Sequence, residues 1–204
     1  MRVTPSLQPP RHGPRAHRTY RSAKSRALCA PTRLIFAQVP AARHDVSARP
    51  REQYVSAPWP SVVIGGGLND LNQDCDCGAC DEVLDSIVSA DGTRGDVPDL
   101  VDRARADGAG VVIVGYAEID PEAKWGFGVC NAASERLEDR YRTLADLHDD
   151  VRFVDPSDVI SLAETPNAYV RDGIHPSEAG SALVGELVAG ALDDLQRLRD
   201  AGGH

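Results

Sequence analysis

The sequence predicts an α/β fold, a parallel sheet with helices packed on both faces. Two observations carry that reading. Three short, almost continuously apolar runs are rich in β-branched residues: "SVVIGGG" (61–67), "GVVIVGY" (110–116) and "VRFVD" (151–155). Between and after them lie segments whose apolar residues recur at helical spacing. A strand that is apolar on both sides needs cover on both faces, and strand–helix alternation supplies that cover through parallel crossovers.

"SVVIGGG" reads as a buried strand that stops in glycine. "DVPDLVDRARADG" (96–108) reads as a helix, with Pro98 in the first turn, where a missing N–H is harmless, and Gly108 past the end. Leu100, Val101 and Ala104 share one face of it. "GVVIVGY" is the next strand. Residues 132–147 form a second helix, with Leu137, Tyr141 and Leu144 at i, i+4 and i+7. "VRFVD" is the third strand. "PSEAGSALVGELVAGALDDLQRL" (176–198) is a long closing helix with a stripe of Leu183, Leu187, Ala191 and Leu195. In open parallel sheets the chemistry gathers beyond the carboxyl ends of the strands. Two segments fall there: "GGGLND" (65–70) and the loop "AYVRDGIHPSE" (168–178) before the closing helix.

The chain has 204 residues, enough for one domain with a real core, and 42% of them are hydrophobic. Its net charge of −9 hides a split. Residues 1–50 carry ten Lys/Arg against one acid, Asp45, while the remaining 154 carry 12 basic and 30 acidic residues. An acidic body argues against a nucleic-acid surface, because phosphate contacts need Lys and Arg. The first 47 residues repeat Pro and Arg without helical or strand period and bury too little apolar surface to offset their ordering entropy. They are expected to be disordered or mistranslated, ahead of a domain at 48–204. "LIFAQV" (34–39) is the only strand-like piece of that segment, and it is not expected to complete the sheet. No run of about 18 apolar residues exists to span a membrane, and Arg33 interrupts the best apolar run near the N-terminus, so no secretory signal is read there.

"GGGLND" is not a nucleotide loop. It lacks the lysine of G-x-x-x-x-G-K-[ST], and Asp70 stands where the third glycine of G-x-G-x-x-G would be. "DGIHP" supplies Asp172 and His175 at D-x-x-H spacing. A histidine acting as general base needs a carboxylate to fix its tautomer and stabilise the imidazolium, and three residues along a loop can provide that contact. Alone, the pair could equally cap the closing helix.

Together the two blocks resemble a known family, the SGNH hydrolases or GDSL-type esterases/lipases. Gly67-Leu68-Asn69-Asp70 is similar to its G-x-N-D block, and Asp172-Gly173-Ile174-His175 to its D-x-x-H block. The resemblance covers roughly residues 50–195. It implies a flavodoxin-like three-layer α/β/α fold, hydrolysis of ester (acyl) bonds and no metal or cofactor. It also implies roles. Asn69, on the Gly67 loop, donates its amide to the oxyanion, His175 deprotonates a serine, and Asp172 orients His175. That serine belongs to a G-D-S block after the first strand, and no G-D-S occurs in this sequence. Asp85-Ser86 lies in the helical "EVLDSIVSA", and Ser6, Ser22, Ser25 and Ser47 have no strand-to-turn context. The first strand region is thus expected to be missing or replaced. A degraded gene, a start read in a wrong frame, or a pseudoenzyme that keeps the pocket for binding would each produce this pattern. The enzyme reading is a serine hydrolase, inactive or impaired as written.

Cys75, Cys77 and Cys80 form C-x-C-x-x-C, with Cys130 further on and Cys29 in the leading segment. Two disulfides are preferred, for example Cys130 to one member of the cluster plus a short bridge within it. Free or redox-active thiols and a Cys₄ zinc site are the alternatives, the last making the chain a cysteine-rich metal-binding α/β protein. Disulfides imply a periplasmic or secreted protein whose true N-terminus carries a signal; without them the chain reads as cytoplasmic. "KWGFG" (124–128) places Trp125 and Phe127 on a loop, either packed beneath it or lining a substrate pocket. His148 reads as a solvated residue near a helix end. The expected partner is a small-molecule, carbohydrate or lipid ester; the sequence is silent on oligomeric state.

Overall fold

The computed structural model describes residues 32–36 as a strand and residues 54–202 in full. The rest of the Arg/Pro-rich segment, Cys29 and the four leading serines lie outside the described residues.

Four strands form one parallel sheet: β1 (Thr32–Phe36), β2 (Ser61–Gly65), β3 (Gly110–Val114) and β4 (Val151–Val154), ordered β1-β2-β3-β4. Five helices complete the domain: α1 (Leu68–Cys75), α2 (Asp81–Ile87), α3 (Asp96–Ala106), α4 (Asn131–Asp146) and α5 (Glu178–Gly202). The α/β expectation holds, and the predicted elements fall within a few residues of the observed ones. One expectation fails. β2 is paired along its whole length, in parallel register Thr32↔Ser61 to Phe36↔Gly65, with a strand that overlaps "LIFAQV" but starts two residues earlier. Of the two outcomes expected for the first strand region, missing or replaced, replacement is the one formed: an interior strand ending at Gly65 leaves few backbone donors unsatisfied when a neighbour is present.

The pleat divides the core. Val62, Ile64, Val111 and Ile113 point to one face, where they meet Leu71, Leu84, Leu100, Leu137 and Tyr141 of α1–α4, all 1% exposed or less. Val63, Val112 and Val154 point to the other face, onto Ala191 and Leu195 of α5. These are the two outer layers around the sheet, and each large side chain so buried is worth roughly 1.5–3 kcal/mol. Along α5 the anticipated stripe is graded, with Ala191 and Leu195 buried and Leu187 partly so. In α3, Val97, Pro98, Leu100, Val101 and Ala104 are all buried.

The connections that leave the carboxyl ends of β2, β3 and β4 gather at the same edge. α1 starts three residues after β2, Tyr116 lies two residues after β3, and the D-x-x-H loop follows β4 through two short 3₁₀ turns at Pro156–Asp158 and Pro166–Ala168.

Candidate active site

α1 begins at a glycine whose backbone any side chain would strain. Gly67 has φ +105, and a Cβ there would stand 2.7 Å from Leu137 Cδ2 and 3.1 Å from the Tyr141 hydroxyl. Asn69 is the second residue of α1 and half-buried; Asp70 follows in the first turn. The turn is held from below. The Tyr141 hydroxyl donates to the Gly66 carbonyl at 2.9 Å, and the Leu68 amide donates to the Tyr116 hydroxyl at 3.0 Å. Burial pushes both phenols above the ordinary tyrosine range, and the Asp70 carboxylate adds to the effect, so both stay neutral.

Tyr116 is itself fixed through its backbone, whose amide donates to Glu138 Oε1 at 2.7 Å. Glu138 is 6% exposed. Burial raises its carboxyl to about 7; the Tyr116 hydrogen bond and Arg142 oppose the rise, while Asp155 and Glu135 add to it. Leu137, Glu138 and Tyr141 are one turn of α4, which therefore acts as a pillar under the G-x-N-D turn. In the sequence Leu137 and Tyr141 are legible only as a core stripe, while Glu138 and Tyr116 carry no motif.

The second block closes on itself. Asp172 Oδ1 accepts from the amides of Ile174 (2.8 Å) and His175 (2.9 Å), and Oδ2 lies 2.8 Å from His175 Nδ1. Burial alone would raise the Asp172 carboxyl, but the bonds from His175 and Ile174 outweigh it and hold it below the usual carboxylate range. An ionised Asp172 can only accept, so Nδ1 carries the proton and Nε2 is left as the basic nitrogen. The His175 side chain is 66% exposed, that of Asp172 13%. The His175 carbonyl accepts from Val170, which cinches the loop.

A third segment ties the blocks together. The Lys124 amide donates to the Asp172 carbonyl and the Asp120 amide to the Gly173 carbonyl, both at 3.0 Å. A Cβ on Gly126 would lie 3.6 Å from Asn72 Nδ2, one turn beyond Asn69 on α1. Within this loop Phe127 is buried, as packing beneath a loop predicts, but Trp125 is 67% exposed. Trp125 adopts φ 58, ψ 27, a left-handed backbone costing a bulky residue roughly 1–2 kcal/mol.

The cysteines form Cys75–Cys80 and Cys77–Cys130, with Cα separations of 5.4 and 4.9 Å. The preferred pattern, Cys130 to the cluster plus a short internal bridge, is the one formed. All four sulfurs are spent, which removes the ligands of the zinc reading. Cys77–Cys130 joins the end of α1 to the start of α4, so the loop bearing Trp125 and the helix bearing Asn69 share a covalent tie. Ser86 is exposed on α2 with its hydroxyl on the Val83 carbonyl at 2.7 Å, in keeping with its exclusion as a nucleophile. His148 is half-buried and lines two cavities of about 590 and 560 Å³ among the starts of β3 and β4, the opposite end from Asp172.

The profile of the GDSL-like lipase/acylhydrolase family matches residues 8–183. The chain belongs to this family. The match starts earlier than the resemblance read from the two motifs and takes in β1. A crystal structure of a candidate acylhydrolase from Bacteroides fragilis NCTC 9343 aligns with TM-score 0.50 and 21% identity, over 66% of this chain and 62% of that one. A GDSL-like lipase from Bacteroides thetaiotaomicron VPI-5482 aligns with TM-score 0.46 and 20% identity over the same shares. The chain thus spans less than two thirds of the length of these family-like structures. No curated protein matches it. The α/β/α architecture of the family is the one described above.

Proposed function

We propose that the G-x-N-D turn and the D-x-x-H loop are the two halves of an acyl-ester hydrolase site. His175 is its general base, Asp172 holds that base in the Nδ1–H tautomer, and Asn69, supported on the Gly67 turn, is the oxyanion donor. The observation that carries this is the 2.8 Å pair of Asp172 with His175, on a loop hydrogen-bonded through Asp120 and Lys124 to the segment that Cys77–Cys130 ties to the end of the helix of Asn69. An amide donor of this kind is typically worth about 10²–10³ in turnover. The substrate is a small-molecule, carbohydrate or lipid ester. The two disulfides favour an oxidising compartment.

With no G-D-S in the sequence, this chain is impaired as a hydrolase. That absence also favours the second reading, a ligand-binding module on the same fold. Grafting a strand and G-D-S block ahead of Tyr54 tests the assignment. In a folded graft, short-chain p-nitrophenyl ester turnover is expected to appear and to vanish in His175→Ala. Turnover that survives His175→Ala would remove the base from the site.

A further inference from the structure

We propose that Trp125 is a stacking platform for the sugar ring of a neutral carbohydrate, beside His175. This rests on reading the His175 loop as the ester-binding site and names the substrate class for it. Three observations lead to it. The indole is 67% exposed while Phe127, two residues on, is buried, so the loop spends one aromatic on anchoring itself and presents the other. The presentation is enforced: Trp125 has φ 58 and Gly126 φ 79, a backbone that bulky residues avoid. Strain of this kind persists only where the surroundings over-determine it, and here they do. A Cβ on Gly128 would fall 2.1 Å from the Pro121 carbonyl oxygen, Asn131 exchanges two 2.8 Å bonds with the backbone of Ile119, and Cys130 is tied to Cys77. The loop is held from several sides while two thirds of the Trp125 surface stays exposed. Third, the hydrogen bond from Lys124 to Asp172 puts this residue one position away from the D-x-x-H loop.

The ligand chemistry follows from what surrounds the ring. Gly126 has no side chain, Phe127 turns inward, Glu122, Lys124 and Asn72 are polar, and the exposed Val129 adds one short aliphatic side chain, so the loop builds no walled apolar groove for a flexible acyl chain. A flat face with polar neighbours matches a sugar ring, which offers C–H groups to the indole and hydroxyls to its edge. The acidic body, 30 acids against 12 bases beyond residue 50, disfavours an anionic ligand.

Intrinsic fluorescence tests this without requiring turnover. The chain has two tryptophans, and Trp59 has its Nε1 bonded to the Val55 carbonyl. The 204-residue protein is titrated with xylohexaose, with hexa-N-acetylchitohexaose and, separately, with dioctanoylphosphatidylcholine micelles. A saturable emission change with either oligosaccharide is expected, retained in Trp59→Phe, and the affinity read by isothermal titration calorimetry is expected to fall at least ten-fold in Trp125→Ala. No saturable response to either sugar, an equal calorimetric affinity in Trp125→Ala, or a response to the micelles alone would overturn the proposal. Because the readout is binding and not turnover, a failure here is separate from a failure of the hydrolase assignment, which the grafted nucleophile reads.

Discussion

Gly67 carries more of the site than its size suggests. Its φ of +105 sets the direction in which α1 leaves β2, and therefore where Asn69 stands. Alanine there meets both a disfavoured backbone and the Leu137 and Tyr141 side chains, so Gly67→Ala is expected to destabilise the fold by about 2 kcal/mol in denaturant unfolding. Glu138 is the second residue whose environment has a measurable consequence. Burial raises its carboxyl from 4.5 to about 7, so the folded state binds its proton more tightly than the unfolded chain does. The sign follows from linkage: the contribution is complete below the unfolded value and is lost as pH rises through the folded one. Stability should therefore decline between about pH 4.5 and about pH 7 by this route. Glu138→Gln keeps an acceptor for the Tyr116 amide and removes the titration, so its melting temperature should vary less across that window. A melting profile identical to that of the parent chain would show that Glu138 does not titrate as its surroundings imply.

At the scale of elements, the two disulfides do unequal work. Cys77–Cys130 spans 53 residues and Cys75–Cys80 five. In the chain-entropy view the longer closure is worth about 4 kcal/mol and the shorter about 2. Cys77→Ala/Cys130→Ala should cost more in denaturant unfolding than Cys75→Ala/Cys80→Ala, and should also release the loop of Trp125. Equal losses would show that the tie between α1 and α4 adds nothing beyond local closure. α4 itself tests the pillar. Leu137→Ala empties a fully buried position against Gly67 and is expected to cost about 2–5 kcal/mol.

The same scale explains what was legible in the sequence. Strands such as "GVVIV" and helices such as "DVPDLVDRARA" are readable because a single period of two or 3.6, with its stop signals, defines them. β1 was readable only as the strand-like "LIFAQV", and its place in the sheet was not: that lies in a five-residue register against β2, which the partner strand alone defines. The Asp172–His175 pair was legible because both members lie in one loop. The Tyr116, Glu138 and Tyr141 clamp was not, because its members converge from two elements 20 or more residues apart from the turn they hold. Phe127 and Trp125 have the same glycine-flanked context, and only the fold separates the buried ring from the exposed one.

At the scale of the whole molecule, a parallel sheet gathers three loops at one end, and those loops carry the residues to which the proposed function gives its base, orienter and oxyanion donor. The described residues contain no helix long and apolar enough to cross a membrane. They do contain the Asp172–His175 pair proposed as base and orienter and the braced turn of Asn69, proposed as the amide donor, and the sequence has no G-D-S for the two to serve. Exposure of the purified 204-residue protein to a serine-directed fluorophosphonate, read by intact and peptide mass spectrometry, tests that claim most directly. The account predicts no stoichiometric adduct. A single serine labelled to completion in the parent chain, and unlabelled in His175→Ala, would contradict it and show a working nucleophile.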